Sequence, residues 1–241
     1  MAKRKKKNKK KILFVVSLLA ILMAAGGYYI YKRTHRHNYT FRPTKRRDDG
    51  RKCDCIDVSN HQGRIDWKKV TTYKNIQFVY IKATEGATLV DKLYARNIRE
   101  ARKYGLKVGS YHYLRNTSLI HDQFENFKRT AKKDLQDLLP MVDMEEDVHR
   151  DSIKAFCNLI EEYYGKQPVI YSANSWYNFY CAPDFNDHIK MIGRLGRKPS
   201  ISGKGTYEIW QYSNYGYVPG IYYPVDLGRL HPDFKTSRLK L

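Results

Sequence analysis

The chain has 241 residues, of which 42% are hydrophobic and 14% aromatic, so it can build a substantial core and is not a wholly disordered protein. One long uncharged apolar segment and four cysteines exclude a polytopic membrane protein and a scaffold built from disulfides. The net charge is +21, but residues 1–47 contain 15 of the 45 lysines and arginines and no acidic residue. The other 30 basic and 24 acidic residues leave only +6, which argues against a nucleic-acid-binding domain.

The N-terminal segment predicts a membrane anchor. Residues 1–11 contain eight lysines and arginines, and Ile12–Tyr31 follows as 20 residues without a charge. A helix of that length spans roughly 30 Å, and the preceding cations favour a cytoplasmic N-terminus. The small residues 24–27 leave a cleaved signal peptide, and hence secretion, as the alternative. Residues 32–52 are polar and basic and predict a tether, which places residues 53–241 outside the cytoplasm, in the periplasm or the cell wall.

The remainder of the chain alternates between short apolar runs and segments with helical spacing. The runs that predict strands are Ile56–Ser59, Phe78–Lys82, Val108–Tyr113, Met141–Met144, Val169–Ser172 and Glu208–Tyr212. The segments that predict helices are Leu93–Tyr104, Phe124–Leu138 and Ile153–Tyr164. This alternation predicts an α/β fold with a parallel sheet. About 190 residues is short for a full eightfold β/α barrel, which typically needs ~250. The helical signal also fades after Asn178, which indicates a barrel with helices missing or short on its C-terminal side, or an open sheet.

Four carboxylates lie at the ends of predicted strands, where α/β folds place their chemistry. They are Asp57, Asp143, Glu145 and Asp226; each follows apolar residues, and Asp226 lies in the further run Tyr223–Leu227. On a strand, Asp143 and Glu145 face the same side with Cα atoms roughly 7 Å apart, whereas Glu146 faces the opposite side. Two such close carboxyl groups raise the pKa of one of them, as a general acid requires. The pair fits glycosidic bond cleavage, but a divalent metal site or a surface acid pair would show the same pattern.

Six motifs in this part of the chain resemble those of glycoside hydrolase family 25, the Chalaropsis-type lysozymes. They occur in the family's order between about Cys55 and Leu230. The motifs are Ile56–Trp67, Lys82–Gly86, Gly109–Tyr113, Val142–Glu145, Trp210–Ser213 and the segment from Gly220 to Asp226. One pattern of the family is missing, because Met191–Gly196 lacks the aromatic residues of the family's sixth strand.

The resemblance implies a flattened β/α barrel that hydrolyses the β-1,4 bond between N-acetylmuramic acid and N-acetylglucosamine in peptidoglycan. Glu145 is then the general acid, and Asp143 either orients the 2-acetamido group of the substrate or acts as the nucleophile. The other expected site residues are Asp57 as a third catalytic carboxyl, and Asp226, Tyr111, Trp210 and Gln211 as substrate contacts. No cofactor and no metal are expected, and the protein is expected to act as a monomer on glycan strands.

A barrel that binds peptidoglycan without cutting it is the alternative function. The retained acids argue against it, because a binding module could lose them. His61 and His112 could be metal ligands, but no zinc-binding spacing accompanies them, and His112 is predicted to be a hydrogen-bonded core residue. Glu85 could bind substrate or make a structural contact with Lys82, and the structural contact is the favoured interpretation. The sequence leaves open whether the four cysteines pair or remain buried thiols.

Overall fold

The computed structural model describes residues 53–73, 76–203 and 205–241. Nine strands are present in this part of the chain: β1 (Cys55–Val58), β2 (Phe78–Glu85), β3 (Leu89–Val90), β4 (Lys107–Tyr113), β5 (Met141–Met144), β6 (Val169–Ala173), β7 (Lys190–Gly193), β8 (Ile209–Gly216) and β9 (Val225–Leu230). The helices are α1 (Trp67–Val70), α2 (Tyr94–Lys103), α3 (Ile120–Thr130), α4 (Arg150–Tyr164) and the short α5 (Asn174–Trp176), which continues as a π-helical turn over Tyr177–Cys181. Short 3₁₀ turns lie at Asn60–Gln62, Lys133–Leu135 and Thr236–Leu239.

Eight of the strands close into a barrel. Their order is β1-β9-β8-β7-β6-β5-β4-β2, and β2 pairs with β1 to complete the circle, while β3 adds to β2 from outside. All neighbours in the barrel are parallel except β9, which runs antiparallel to both β8 and β1. The barrel predicted from the alternating pattern is therefore present, and the open-sheet alternative is excluded.

The strand residues alternate between two apolar clusters, because successive side chains of a strand point to opposite faces. Outward-facing residues such as Val79, Val142 and Ile170 pack against the helices. Inward-facing residues such as Tyr80 and Met141 fill the barrel. Leu138, Leu139 and Leu239 belong to the inner cluster, and the Leu139 N–H donates to the Leu239 carbonyl, so the C-terminal 3₁₀ turn closes the barrel end where β5 begins.

In the described residues, α-helices follow only the strands up to β6. Within the described residues, β7 and β8 are followed by loops without an α-helix, as the fading helical signal after residue 178 predicted. One predicted helix has the wrong bounds, because α3 begins at Ile120 and ends at Thr130 instead of spanning residues 124–138. Ala131 leaves the helical conformation, and its carbonyl accepts the Tyr164 hydroxyl, so a tertiary contact replaces the next helical turn.

Of the predicted anchor and the cysteines, the structure describes only the cysteines. The anchor predicted at residues 12–31 and the tether at 32–52 lie outside the described residues. None of the helices in the described residues has the length and apolar character that a membrane span requires. The four cysteines, which are all described, are buried and form no disulfide.

Candidate active site

A cavity of about 460 Å³ opens at the C-terminal ends of the barrel strands. It brings together all four predicted carboxylates, Asp57, Asp143, Glu145 and Asp226, although they come from three strands that are far apart in sequence. Asp57 and Asp143 are buried, with 8% and 7% of their surfaces exposed, whereas Glu145 lies exposed at the mouth. The cavity therefore has an acidic floor and an accessible carboxyl at its entrance.

Asp57 and Asp226 form a carboxyl pair because β1 and β9 place them directly opposite each other. Burial raises the pKa of Asp57 well above its usual range, and the charge of Asp226 raises it further. Burial also raises the pKa of Asp226 to about 6, although a hydrogen bond from Asp57 opposes this rise. The two carboxyls consequently titrate as a pair, and their burial and mutual repulsion favour a proton on the pair at a pH where an ordinary aspartate has lost it.

Asp143 and Glu145 form the second pair at the end of β5. Burial raises the pKa of Asp143 well above its usual range, and the charge of Glu145 adds to this effect, while Lys82 opposes it. Although the residue is exposed as a whole, partial burial of its carboxyl in the cavity raises the pKa of Glu145, and its interaction with Tyr171 and the charge of Lys82 oppose this rise. The Oδ1 atom of Asp143 is buried and makes no hydrogen bond within the described part of the chain. A buried acceptor without a partner is costly unless a ligand satisfies it, so this atom is available to a bound substrate.

Gln211 and Tyr171 connect the two carboxyl pairs. The Gln211 side-chain amide donates to Asp57 Oδ2 at 3.2 Å, and its oxygen accepts a hydrogen bond from the Tyr171 hydroxyl at 2.7 Å. Tyr171 in turn interacts with Glu145. This series of polar contacts fixes the side chains between the buried floor and the mouth, which holds the site in one geometry before substrate binds.

The three predicted substrate contacts besides Asp226 lie in different places. Tyr111 and Gln211 line the cavity. Trp210 does not, because it precedes Gln211 on β8 and therefore points to the outer face of the barrel. Its indole N–H donates to the Arg194 carbonyl at 2.7 Å, and its ring packs edge-on against Tyr212. The structure thus gives Trp210 a packing role on the outer face.

His112 and Glu85, which were predicted to make structural contacts, do so in the structure. His112 is fully buried, its Nε2 lies 3.1 Å from Gln123 Oε1, and its Nδ1 lies 2.7 Å from the Thr84 hydroxyl. Burial lowers the pKa of His112 to about 4, so the ring is neutral at pH 7. Glu85 pairs with Lys82 as predicted, and Glu146 pairs with Arg115 outside the cavity lining.

Tyr171 and Lys82 line the cavity in addition to the predicted catalytic and substrate-contact residues. Tyr171 faces into the barrel one strand away from Asp143, and Lys82 faces inward from β2. The sequence could have indicated both residues by their position near the C-terminal ends of predicted strands, because inward-facing polar residues at that end of a barrel line the site.

The sixth barrel strand, β7, differs from the family pattern as the sequence indicates. Leu195 lines the cavity and has 55% of its surface exposed, so an aliphatic side chain forms this part of the wall. A Cβ at Gly193 would lie 3.0 Å from both Gln211 Oε1 and the Tyr171 hydroxyl. Glycine therefore leaves room for the hydrogen bond between those two residues.

A metal site is the remaining chemical interpretation of clustered acids. Among the described residues, no group of three or more histidine, cysteine, aspartate or glutamate side chains has an arrangement that could hold a metal ion. His61 is exposed at the cavity mouth, and His112 is buried in contact with Phe156, with ring centroids 4.9 Å apart. The two histidines thus lie in separate environments.

Two bacterial proteins are similar to this chain in sequence. An uncharacterized Escherichia coli (strain K12) protein, YegX, is 34% identical over 182 residues, which cover 71% of this chain and 66% of that protein. Lysozyme M1 of Streptomyces globisporus is 29% identical over 198 residues, which cover 73% of this chain and 67% of that enzyme. The chain thus spans about two thirds of the length of these relatives.

The fold and the motifs lead to the same family. The structure of a family 25 glycosyl hydrolase from Bacillus anthracis superposes with a TM-score of 0.70 at 27% identity, covering 84% of this chain and 97% of that one. The sequence model of the glycosyl hydrolases family 25 matches residues 56–221, which is more than half of the chain. This range includes three of the four carboxylates, and the antiparallel strand β9 brings in Asp226 as the fourth. The protein is a member of glycosyl hydrolase family 25.

Proposed function

We propose that the protein is an N-acetylmuramidase that hydrolyses the β-1,4 bond between N-acetylmuramic acid and N-acetylglucosamine in peptidoglycan. The observation that carries this proposal is the pair of carboxyls at the end of β5, with Asp143 buried and Glu145 exposed at the mouth of the same cavity. Glycosidic cleavage needs one protonated carboxyl beside the leaving oxygen and a second group that stabilises the positive centre. Membership of the family and the similarity to lysozymes support the same substrate.

Glu145 acts as the general acid in this proposal. Its raised pKa keeps it protonated at higher pH than an ordinary glutamate, and its exposure lets it reach the glycosidic oxygen. Asp143 acts from the floor of the cavity, where its unpartnered Oδ1 either accepts the N–H of the substrate's 2-acetamido group or attacks the anomeric carbon. Asp57 serves as a third catalytic carboxyl in this proposal, and Asp226 beside it contacts the substrate. Gln211 holds Asp57 in place by donating to it and accepting from Tyr171.

Digestion of purified peptidoglycan by the full-length chain tests the proposal. We expect new reducing ends on N-acetylmuramic acid, identified by borohydride reduction and mass spectrometry. Reducing ends on N-acetylglucosamine would assign the wrong bond. Sedimentation with peptidoglycan in the absence of any new reducing end would instead support the alternative of a non-catalytic peptidoglycan-binding barrel.

The two roles of Asp143 can be separated with a soluble substrate that carries a 2-hydroxyl in place of the 2-acetamido group. If the acetamido oxygen takes part in the reaction, this substitution abolishes cleavage while binding persists. If Asp143 is the nucleophile, the hydroxyl substrate is still cleaved, and a covalent adduct on Asp143 accumulates with a slowly hydrolysed fluorosugar.

We further propose that residues 12–31 anchor the protein in the membrane, with the catalytic domain, residues 53–241, outside the cytoplasm and acting as a monomer. The uncharged run of 20 residues behind eight cations supports the anchor. A peptidoglycan substrate supports the extracytoplasmic location, since the glycan is assembled outside the membrane.

A further inference from the structure

Exposed aromatic side chains concentrate in one segment of the described chain. Of the ten large apolar or aromatic side chains that are exposed in that part of the protein, four are tyrosines within residues 215–223. They are Tyr215, Tyr217, Tyr222 and Tyr223, and we call them the tyrosine rim. Exposed apolar side chains that are scattered singly are normal, whereas a group of them indicates a binding surface. None of the four lines the catalytic cavity, so the proposed hydrolysis does not account for them.

The segment that carries the tyrosine rim borders the mouth of the cavity. β8 runs parallel to β7, so its C-terminal end lies at the cavity end of the barrel, and β9 starts from that end in the opposite direction. Asn214 and Asp226, on either side of the segment, both line the cavity. The Gln62 side-chain amide donates to the Pro224 carbonyl at 2.8 Å, and Gln62 is itself a lining residue.

The backbone of this segment is held firmly although its tyrosines are exposed. Val218 and Ile221 are buried in the outer apolar cluster and anchor the segment. The Asp66 N–H donates to the Gly220 carbonyl at 2.9 Å, and a side chain at Gly220 would collide with the Asp66 carbonyl oxygen. Tyrosine has few side-chain torsions to immobilise, so rings on a fixed backbone bind a partner at a low cost in conformational entropy.

The exposed rings continue from the mouth along the loop that follows β1. A Cβ at Gly63 would lie 3.3 Å from the Tyr223 ring, so this ring packs on the loop directly after the lining residue Gln62. Tyr222 lines a separate hollow of about 300 Å³ together with Arg64. The tyrosine rim therefore extends the surface around the cavity outwards, and it is continuous with the cavity mouth.

We propose that the tyrosine rim binds pyranose rings of the glycan strand that lie outside the cavity. This inference rests on the proposed muramidase function. The cavity, at about 460 Å³, has the size of a site for one small molecule, so a polymeric strand must continue over the surface beside it. Tyrosine suits such a surface, because its ring offers apolar area to the C–H face of a sugar while its hydroxyl stays in water. The rim should increase the affinity for long strands without acting on the reacting bond.

The test compares Tyr222→Ala with Tyr222→Phe, which keeps the ring, in the full-length chain. Tyr222 has 70% of its surface exposed, so both variants should fold. We expect Tyr222→Ala to raise KM for long glycan strands by about threefold to tenfold, the range for one aromatic contact, with kcat unchanged. Tyr222→Phe should keep KM close to that of the unchanged protein, and a short glycan that fills only the cavity should show no effect of either variant. An unchanged KM on long strands, or an equal rise on the short glycan, would overturn the proposal.

Two further variants complete the comparison. Phe179→Ala removes an equally exposed aromatic ring outside the tyrosine rim and should leave KM unchanged, and a rise as large as that of Tyr222→Ala would contradict a specific role of the rim. If Tyr222→Ala does not fold, Tyr215→Ala replaces it, because that ring is also more than half exposed.

A binding measurement separates this inference from the proposed function. In the Glu145→Gln background, calorimetric titration with peptide-free glycan strands should show the same loss of affinity on Tyr222→Ala. A loss that appears only with strands carrying peptide stems would show that the rim binds peptide, and would overturn the inference even if the protein is a muramidase. Rim-dependent binding of strands that the unchanged protein does not cleave would overturn the proposed function and keep the inference.

Discussion

Replacing Glu145 by glutamine tests whether this residue is the general acid. The side chain lies exposed at the mouth of the cavity, and Tyr171 is the hydrogen-bond partner that acts on its pKa. Glutamine has the same shape and can keep that contact, so the free energy of unfolding should change by no more than about 0.5 kcal/mol. Glutamine cannot donate a proton to a leaving oxygen. The loss of general acid catalysis should lower kcat by ~10²–10⁴-fold, which corresponds to an increase of about 3–5 kcal/mol in the activation barrier.

The adjacent Glu146 supplies a matched control for this experiment. It faces away from the cavity and pairs with Arg115, so Glu146→Gln makes the same chemical change one residue further along the chain. Loss of that partly exposed ion pair should cost at most about 1 kcal/mol of stability and leave kcat within a few-fold. The assay is release of reducing ends from a soluble glycan, with thermal melting of each variant in parallel. Near-normal activity of Glu145→Gln, or an equal loss in both variants, would refute the assignment.

Three further predictions follow from the structure. At pH 8, Asp226→Asn should raise the melting temperature and lower activity, because above about pH 6 the native protein must hold this partly buried carboxylate in its charged form. Calorimetry should show a smaller gain at pH 5, where only part of this penalty applies, than at pH 8. Since the pKa of His112 falls to about 4 on folding, the folded state excludes a proton that the unfolded chain binds, so stability should fall as the pH drops from 6.5 towards 4. The neutral His112 ring should contribute about 3 kcal/mol to the free energy of unfolding. Urea titrations at several pH values would measure it as the difference in pH dependence between the unchanged protein and His112→Gln, and an equal pH dependence in both would contradict the prediction. N-terminal sequencing of the membrane fraction should find residues 12–31 retained, whereas a start near Gly26 or Gly27 would show cleavage of a signal peptide.

Which side chains of a strand reach the site depends on which face of the strand points into the barrel, and local sequence does not specify that face. Trp210 and Gln211 are neighbours in one motif, and both were expected to contact substrate. Once β8 is part of a barrel, the alternation of side chains directs Gln211 inward to Asp57 and Trp210 outward to the carbonyl of Arg194. Motif membership therefore identified the strand, and the pairing of that strand decided which of its side chains reaches the cavity.

The sequence by itself determined the elements and the chemistry. Short apolar runs predicted six of the barrel strands because buried parallel strands require continuous apolar segments. The predicted helix Ile153–Tyr164 ends where α4 ends, because the following Gly165 adopts a φ of 84° that other residues rarely tolerate. The carboxylates at strand ends were identifiable because a charge after a buried run is costly unless it serves a site.

Only the tertiary structure decided which of these groups act on one another. Asp226 meets Asp57 because β9 runs antiparallel between β8 and β1, a direction that the apolar run Tyr223–Leu227 does not encode. The coupled titration of this pair depends on the distance between two residues that are far apart in sequence. Electrostatic interactions depend on separation and burial, and both quantities exist only after the barrel has closed.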